Sequence, residues 1–220
     1  MVGLTVQELS LNDVFELARS LAVPGQRRIL GFTGAPGAGK STVAEQVVDA
    51  LGPELAVLVP MDGFHLSNEV LIDLKRRDRK GAHDTFDASG YATLLRRIRE
   101  QRTSGRVGDD AVIYAPQFRR ELEEPIGSLI PIRPETPLVV TEGNYLLLDS
   151  GAWPLARHVI DEVWFLSPLE SVRHERLVRR HEEYGKSHED AERWARGSDQ
   201  RNAEIIEATA HRADRVLRLT

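Results

Sequence analysis

A glycine-rich segment in the first third of the chain has the composition of a phosphate-binding loop. Residues 34–42 read GAPGAGKST and fit the pattern Gly-x-x-x-x-Gly-Lys-Ser/Thr in full. Glycines let backbone N–H groups point at phosphate oxygens, and the helix that follows adds the positive end of its dipole. The pattern predicts a nucleoside triphosphate site made of Gly34, Ala35, Pro36, Gly37, Ala38, Gly39, Lys40, Ser41 and Thr42. The alternative is a glycine turn with an exposed lysine.

Two acidic residues follow apolar stretches that read as strands. Asp62 comes after VLVPM, and Glu142 comes after PLVVT. If both stretches belong to one parallel sheet, their carboxyl ends meet the glycine-rich segment at one edge. An enzyme that transfers a phosphate from the triphosphate to a hydroxyl needs a group that accepts or orients the proton of that acceptor hydroxyl, and we expect Asp62 to have this role. We expect Ser41 and Glu142 to hold Mg²⁺, and Lys40 to neutralise phosphate charge in catalysis. The alternatives are a turn cap at Asp62 and a surface carboxylate at Glu142.

A basic stretch in the last quarter of the chain has arginines on one helical face. In residues 168–187, Arg173, Arg176 and Arg180 follow the spacing i, i+3, i+7. Such a face suits a lid, at about residues 173–190, that closes over phosphates and excludes water. We therefore expect Arg176 to act in catalysis and Arg180 in nucleotide binding. Alternatively, the face is solvated and its arginines pair with nearby glutamates.

The composition of the whole chain excludes several classes of protein. It has 220 residues, of which 41% are hydrophobic and 29% charged, with no cysteine and a net charge of −5. The acidic balance argues against broad nucleic-acid binding, and the lack of cysteine excludes disulfides and thiolate metal sites. No apolar run approaches about 18 residues, and the N-terminus lacks the basic start of a secretory signal. We therefore expect no membrane span and a cytoplasmic location. The sequence does not fix the oligomeric state, and a homodimer is compatible with it.

Apolar periodicity predicts strands that alternate with helices along most of the chain. We expect strands at 28–33, 55–59, 138–141, 159–166 and 216–219, and helices at 5–21, 39–51, 67–77, 87–101, 169–183 and 187–210. The stretch 102–136, rich in Gly, Pro and charge, is expected to be a long loop with a short strand at 111–114. This order predicts an α/β fold, namely a P-loop NTPase three-layer αβα sandwich with a mostly parallel five-stranded sheet and a helical lid. We expect a single domain over residues 1–220, with an acceptor-binding insert at about 63–120.

Several stretches together resemble the uridine kinase, bacterial pantothenate kinase and phosphoribulokinase superfamily of P-loop kinases. They are GAPGAGKST, MDGFHLSNEVL (61–71), RKGAHDTFDASGYATLL (79–95), VVTEGNYLLL (139–148), RLVRRHEEYGK (176–186) and SDQRNAEII (198–206). Within the superfamily, the chain looks most like the bacterial fructose transport system kinases, also described as nucleoside/nucleotide kinase family proteins. The resemblance extends over about residues 28–219.

The resemblance implies an ATP-dependent kinase that transfers the γ-phosphate to a hydroxyl of a small metabolite, with Asp62 as catalytic base. It places acceptor contacts at Asp62, His65, Lys80, His83, Asp87, Phe118, Arg119 and Tyr145, and a nucleotide contact at Asn202. His65 is alternatively a packing residue. At Arg119 the family commonly has an aspartate, so the acceptor either differs or carries negative charge. The alternative function is an ATP-binding ATPase or a regulatory switch without small-molecule phosphotransfer.

Overall fold

A six-stranded parallel sheet forms the centre of the protein, whose computed structural model describes residues 5–101 and 111–220. Its strands are β1 (Val6–Leu9), β2 (Arg28–Thr33), β3 (Ala56–Pro60), β6 (Leu138–Glu142), β7 (Glu162–Leu166) and β8 (Arg215–Leu219). They lie in the order β1-β8-β7-β2-β6-β3, and each neighbouring pair is parallel. Two further strands, β4 (Ile113–Arg119) and β5 (Glu124–Ile132), form a separate antiparallel hairpin.

Helices cover both faces of the sheet. They are α1 (Leu11–Leu21), α2 (Lys40–Leu51), α3 (Asn68–Asp73), α4 (Ala88–Glu100), α5 (Trp153–Val159), α6 (Glu170–Glu183), α7 (His188–Trp194) and α8 (Gln200–Glu207). Successive strand residues face opposite sides, so Ile29 packs in one buried cluster and Leu30 in the other. Residues of α4 and α5 line the first cluster, and residues of α1 and α2 line the second. The predicted α/β sandwich is therefore confirmed.

The prediction of five strands and of a helix over residues 5–21 is wrong at the N-terminal end. Val6–Leu9 form an edge strand that pairs in parallel with β8, and the helix begins only at Leu11. Ser10 separates the two elements, because its hydroxyl accepts a hydrogen bond from the Asp13 amide and the Asp13 carboxylate accepts one from the Ser10 amide. The Ser-x-x-Asp spacing marks the helix start, whereas a four-residue edge strand leaves too short an apolar pattern to detect.

The stretch 102–136 is also more ordered than predicted. Residues 102–110 lie outside the described part of the chain, but β4 and β5 occupy most of the remainder as a hairpin. Buried and exposed side chains alternate at the start of β4, where Ile113 and Ala115 are buried and Tyr114 between them is exposed. Three prolines in the two strands weaken the strand pattern in the sequence, and the register is irregular after Ala115.

Other elements differ from the predictions at their boundaries. The predicted helix 67–77 ends at Asp73, and the predicted strand 159–166 begins only at Glu162, because α5 occupies the residues before it. The predicted helix 187–210 is α7, a π-helical turn at Ala195–Asp199, and α8. Helices α2, α4 and α6 lie where they were expected. Within the described residues, no helix combines the length and apolar character needed to cross a membrane.

Candidate active site

The glycine-rich segment forms a tight loop between β2 and α2. Gly39 precedes α2 with a φ of 90°, a left-handed conformation that favours glycine. Gly37 has a φ of 82°, and a Cβ placed there would lie 2.7 Å from the Arg173 backbone oxygen and 2.8 Å from Leu177 Cγ. Helix α6 therefore packs directly on this loop. A side chain at Gly37 would collide with α6, and one at Gly39 would be strained and would crowd the Arg176 guanidinium, 3.1 Å away.

Three strand ends bring the acidic and basic residues together at one edge of the sheet. Glu142 is the last residue of β6, and it is paired in register with Phe32 of β2 and Pro60 of β3. Asp62 follows Pro60 by two residues, in a 3₁₀ turn at Met61–Phe64. The expectation that Asp62 and Glu142 lie at the carboxyl ends of parallel strands of one sheet is confirmed, and the register shows that the two strands are neighbours.

Lys40 and Glu142 are both buried at this edge. The Lys40 ammonium donates a hydrogen bond to the Ala35 carbonyl oxygen at 3.1 Å. Burial lowers the pKa of Lys40 to about 8, against the opposing effects of the negative charges of Glu142 and Asp62. Burial raises the pKa of Glu142 to about 7, and the charge of Asp62 adds to this, while Lys40 and a hydrogen bond with Ser41 act in the other direction. The site thus holds a carboxylate and an ammonium that are costly to charge without a ligand.

The oxygen donors at this edge fit a magnesium ion. Mg²⁺ is usually bound by one or two carboxylates together with phosphate oxygens and water. The Ser41 side chain lies close enough to the Glu142 carboxylate to lower its pKa. Asp62 adds a second carboxylate close enough to raise the pKa of Glu142. The residues present are therefore suitable for Mg²⁺ bound beside a triphosphate.

A cavity of about 680 Å³ opens above this edge of the sheet. Its floor contains Lys40, Ser41, Asp62 and Glu142, together with Gly143 and Asn144. The Asp62 side chain is 39% exposed. The side toward the C-terminal helices is lined by Arg180, His181, Trp194, Asp199, Arg201 and Asn202. A third group of lining residues, which we call the acceptor wall, comes from the segment before α4 and from the tip of the β4–β5 hairpin: Asp78, Arg79, Lys80, Gly81, Ala82 and Arg120.

The three arginines of the predicted lid face have different surroundings. Arg173 is buried and donates hydrogen bonds to the Pro36 carbonyl and the Gln200 side chain, so it joins the loop to α8. Arg176 lies against the loop, with its guanidinium 3.4 Å from the Ala38 carbonyl oxygen. Arg180 lines the cavity and lies 3.9 Å from Asp199. The arginine face is thus turned toward the glycine-rich loop, which disfavours the solvated alternative.

Of the residues predicted to contact the acceptor, Asp62 and Lys80 line the cavity, whereas six others do not. Asp87 caps α4 by accepting a hydrogen bond from the Gly90 amide at 2.8 Å. The buried Tyr145 donates a hydrogen bond to the Gly81 carbonyl, and His83 packs edge-on against its ring. Arg119 is exposed and lies 3.9 Å from Glu121. These side chains therefore do not line the cavity, although Tyr145 holds in place Gly81, which does.

His65 and Phe118 belong to a packed aromatic group behind Asp62. The His65 ring lies 4.0 Å from the Phe86 ring and 4.8 Å from the Phe118 ring, centroid to centroid. Its Nδ1 atom is 2.8 Å from the Asp62 backbone oxygen. Burial lowers the pKa of His65, which favours the neutral ring that donates from Nδ1. His65 is therefore placed to fix the turn that carries Asp62.

Several cavity residues could not be found from the sequence. Three examples are Arg120, Asn144 and Trp194. Sequence patterns pointed to other residues of the same stretches, and no local pattern distinguishes these three. Arg120 follows the predicted Arg119 by one position, and only the geometry of the hairpin turn decides which side chain faces the cavity. A polar residue at the end of a strand gave the signal for Asp62 and Glu142, and no such signal exists at a hairpin tip.

Gly63 gives a stability prediction, since the hairpin backbone passes directly over it. A Cβ at this position would collide with the Pro116 carbonyl oxygen. We expect Gly63→Ala to push β4 away from the Asp62 turn and to lower the free energy of unfolding by about 1–3 kcal/mol. Urea denaturation of the two proteins measures this difference.

The matched control is Gly127→Ala, in β5 of the same hairpin, where a Cβ would meet no atom within 4 Å. That substitution should change the free energy of unfolding by less than about 0.5 kcal/mol. Equal effects at the two positions would show that contact with Pro116 does not determine the cost.

A parallel sheet with a glycine-rich loop after β2, acidic residues at the ends of β3 and β6, and a basic helix packed on the loop defines a P-loop kinase fold. Comparison with known proteins agrees with this assignment. The chain belongs to the phosphoribulokinase / uridine kinase family, whose model matches residues 29–219. Membership of this kinase family implies phosphotransfer and the use of ATP.

Individual relatives cover most of the chain. A "putative uridine kinase" of Schizosaccharomyces pombe is 33% identical over 78% of this chain and 74% of its own length. The uncharacterized protein YggC of Escherichia coli K12 is 31% identical over 99% of this chain and 93% of its own. The crystal structure of a "putative fructose transport system kinase" from Silicibacter sp. TM1040 is 32% identical, with a TM-score of 0.82, and covers 96% of this chain and 100% of its own. The family resemblance predicted from the motifs is thereby confirmed.

Proposed function

We propose that the protein transfers the γ-phosphate of ATP to a hydroxyl group of a small metabolite, such as a sugar, a nucleoside or a pantothenate-like alcohol. The observation that carries this proposal is the shared cavity, in which Asp62, Lys40 and Glu142 line the same space as Arg180 of α6 and the acceptor wall. Its volume of about 680 Å³ is in the range of pockets that enclose small molecules. A binding site for nucleotide alone would need neither the carboxylate of Asp62 nor the acceptor wall.

Each residue of the floor has a proposed role. The loop 34–42 holds the triphosphate, and Lys40 places a positive charge beside the terminal phosphates. Ser41 and Glu142 hold Mg²⁺, which when bound neutralises phosphate charge. Asp62 accepts a hydrogen bond from the acceptor hydroxyl, aims its oxygen along the line of transfer and takes up its proton. Most of the rate enhancement then comes from positioning and from fixed positive charge.

Residues of α6 and of α8 complete the nucleotide side. Arg180 faces the cavity and supplies charge to the phosphates, and Asn202 adds an amide close by. Arg176 lies between the loop and a small, largely apolar cleft of about 120 Å³ lined by Ala38, Leu166, Pro168, Leu169, Val172, Leu217, Arg218 and Leu219. An apolar cleft bordered by a guanidinium suits the flat base of the nucleotide. Closure of these helices would exclude water from the transfer.

The proposal is tested by measuring ADP release from ATP and Mg²⁺ with and without acceptors. The panel should contain nucleosides, pantothenate, sugars and sugar phosphates. We expect at least one acceptor to raise ADP release roughly tenfold or more above the rate with water alone, with phosphate recovered on the acceptor by mass spectrometry. ADP release that is unchanged by every acceptor would favour an ATPase or a nucleotide-binding switch and would contradict the proposal.

A further inference from the structure

The acceptor wall carries more positive than negative charge, although the whole chain is acidic. Three of its side chains are cationic, namely Arg79, Lys80 and Arg120, and one, Asp78, is anionic. The chain as a whole has a net charge of −5. The excess of positive charge is thus local to the acceptor wall.

Direct ion pairs neutralise only part of this charge. The Lys80 ammonium donates to two neutral oxygens, the Asn68 side-chain oxygen at 2.8 Å and the Glu123 backbone oxygen at 2.5 Å. The Asp84 carboxylate lies 2.5 Å from the Arg79 guanidinium and 3.6 Å from the Arg76 guanidinium. Because one carboxylate serves two arginines, the three side chains together have a net charge of about +1.

Arg120 is the least compensated cation of the wall. In the part of the chain that the structure describes, it makes no ion pair and no side-chain hydrogen bond. The carboxylates of Glu123 and Glu124 lie close enough to raise the pKa of Lys80, against the larger effect of burial, but neither lines the cavity. A ligand at the acceptor wall therefore meets a surface with unsatisfied positive charge.

The hairpin tip that carries Arg120 is held firmly in place. Besides the bond from Lys80 to the Glu123 backbone, the Asn68 amide donates to the Glu124 carboxylate at 2.8 Å. The Lys80 ammonium also lies 5.2 Å from the centre of the Phe118 ring. Because these contacts flank the tip on both sides, Arg120 is presented to the cavity without a further folding step, which favours tight binding of a matching group.

We propose that the acceptor carries an anionic group, a phosphate or a carboxylate, that binds the acceptor wall with Arg120 as its specificity-determining contact. A guanidinium can give such a group two parallel charge-assisted hydrogen bonds. The floor is negative at Asp62, so the anionic group lies at the wall and the reacting hydroxyl at the other end of the molecule. This inference rests on the proposed function and adds the chemical class of the acceptor to it.

Matched acceptors test the proposal by kinetics. Ribose is compared with ribose 5-phosphate, and glycerol with glycerol 3-phosphate and with glycerate. The phosphate esters and the carboxylate thus test the two anionic groups separately. We expect kcat/KM to be at least about tenfold higher for an anionic member than for its neutral counterpart. Arg120→Gln should raise the acceptor KM roughly 10- to 100-fold, with kcat and the KM for ATP within about twofold of the wild type. Arg119→Gln, which removes the neighbouring arginine outside the cavity, should leave all three constants within about twofold.

A binding measurement keeps the test independent of turnover. The protein is saturated with Mg²⁺ and a non-hydrolysable ATP analogue, so that the glycine-rich loop is covered, and is titrated by calorimetry with ribose 5-phosphate, glycerate and inorganic phosphate. We expect saturable binding of at least one of these probes to the wild type and to Arg119→Gln, and a loss of at least tenfold in affinity in Arg120→Gln.

The outcomes distinguish the two proposals. Absence of saturable binding in the wild type, or equal binding in Arg120→Gln, overturns the anionic acceptor. Faster phosphorylation of neutral than of anionic acceptors also overturns it, while the proposed function stands. Arg120-dependent anion binding without any acceptor-dependent ADP release would instead preserve the anion site and contradict phosphotransfer.

Discussion

Replacing Asp62 with asparagine is expected to lower the turnover number by about 10²–10⁴-fold, with ATP affinity nearly unchanged. The asparagine side chain has almost the same shape but cannot take up the proton of the acceptor hydroxyl. Asp62 lies in the first turn after β3 and is partly exposed to the cavity. Among the described residues it makes no ion pair with a lysine or an arginine, and the His65 Nδ1 atom 4.0 Å away belongs to a ring that burial favours as neutral. We therefore expect the Asp62→Asn protein to fold. Steady-state kinetics and titration with a non-hydrolysable ATP analogue measure the two effects separately.

A matched control for this change is Asp73→Asn, at the exposed end of α3 and outside the cavity. It should alter the turnover number by less than about twofold. A turnover number for Asp62→Asn close to that of the wild type would contradict the role of Asp62 as base or positioning group. A loss of ATP affinity as large as the loss of rate would instead place Asp62 on the nucleotide side of the site.

The floor of the site could be predicted from the sequence because its signals are local. A strand followed by a nine-residue glycine-rich motif that runs into a helix gives the phosphate-binding segment. Asp62 and Glu142 each follow an apolar stretch, and parallel strands bring their carboxyl ends to one edge whatever the detailed packing. In the structure, Pro60 at the end of β3 is paired with Glu142 at the end of β6, as this argument predicts.

The acceptor side could not be predicted in the same way, because side-chain direction there depends on tertiary packing. Asp87 and Tyr145 lie in family-like stretches, but one caps a helix and the other holds the Gly81 backbone. Arg119 and Arg120 differ by one residue in a hairpin turn, and only one lines the cavity. Likewise, the edge strand β1 is too short to show a period of its own, and it is fixed by pairing with β8 about 200 residues away.

Replacing Lys40 with methionine is expected to abolish most activity and also to change how stability depends on pH. The loss of a buried positive charge at the terminal phosphates should lower the rate by at least about 10²-fold and weaken ATP binding. The matched control is Lys75→Met, at an exposed position after α3, which should keep both rate and affinity within about twofold. An unchanged rate and ATP affinity in Lys40→Met would contradict the phosphate-binding role of the loop.

The change in stability follows from the neighbouring carboxylate. In the wild type the folded-state pKa of Glu142 is raised by burial to about 7, so its contribution to stability is complete below the ordinary carboxyl pKa and is lost as pH rises toward 7. The positive charge of Lys40 opposes this rise in the pKa of Glu142. Burial lowers the pKa of Lys40 itself to about 8, so its charged form is costly in the folded protein at lower pH. Without Lys40, the pKa of Glu142 rises further, and each added unit costs about 1.4 kcal/mol once the carboxyl ionises.

Melting temperatures of the ligand-free protein, measured in chelator between pH 5 and pH 8, test this coupling. At pH 5 the Glu142 carboxyl is protonated in both proteins, so Lys40→Met should be at least as stable as the wild type. Toward pH 8 the variant should lose stability more steeply, because its buried carboxylate has lost the cation that favoured ionisation. The double variant Lys40→Met/Glu142→Gln should remove the added slope. Parallel pH profiles for the wild type and Lys40→Met would show that the two buried charges are not coupled, whatever their separate effects on catalysis.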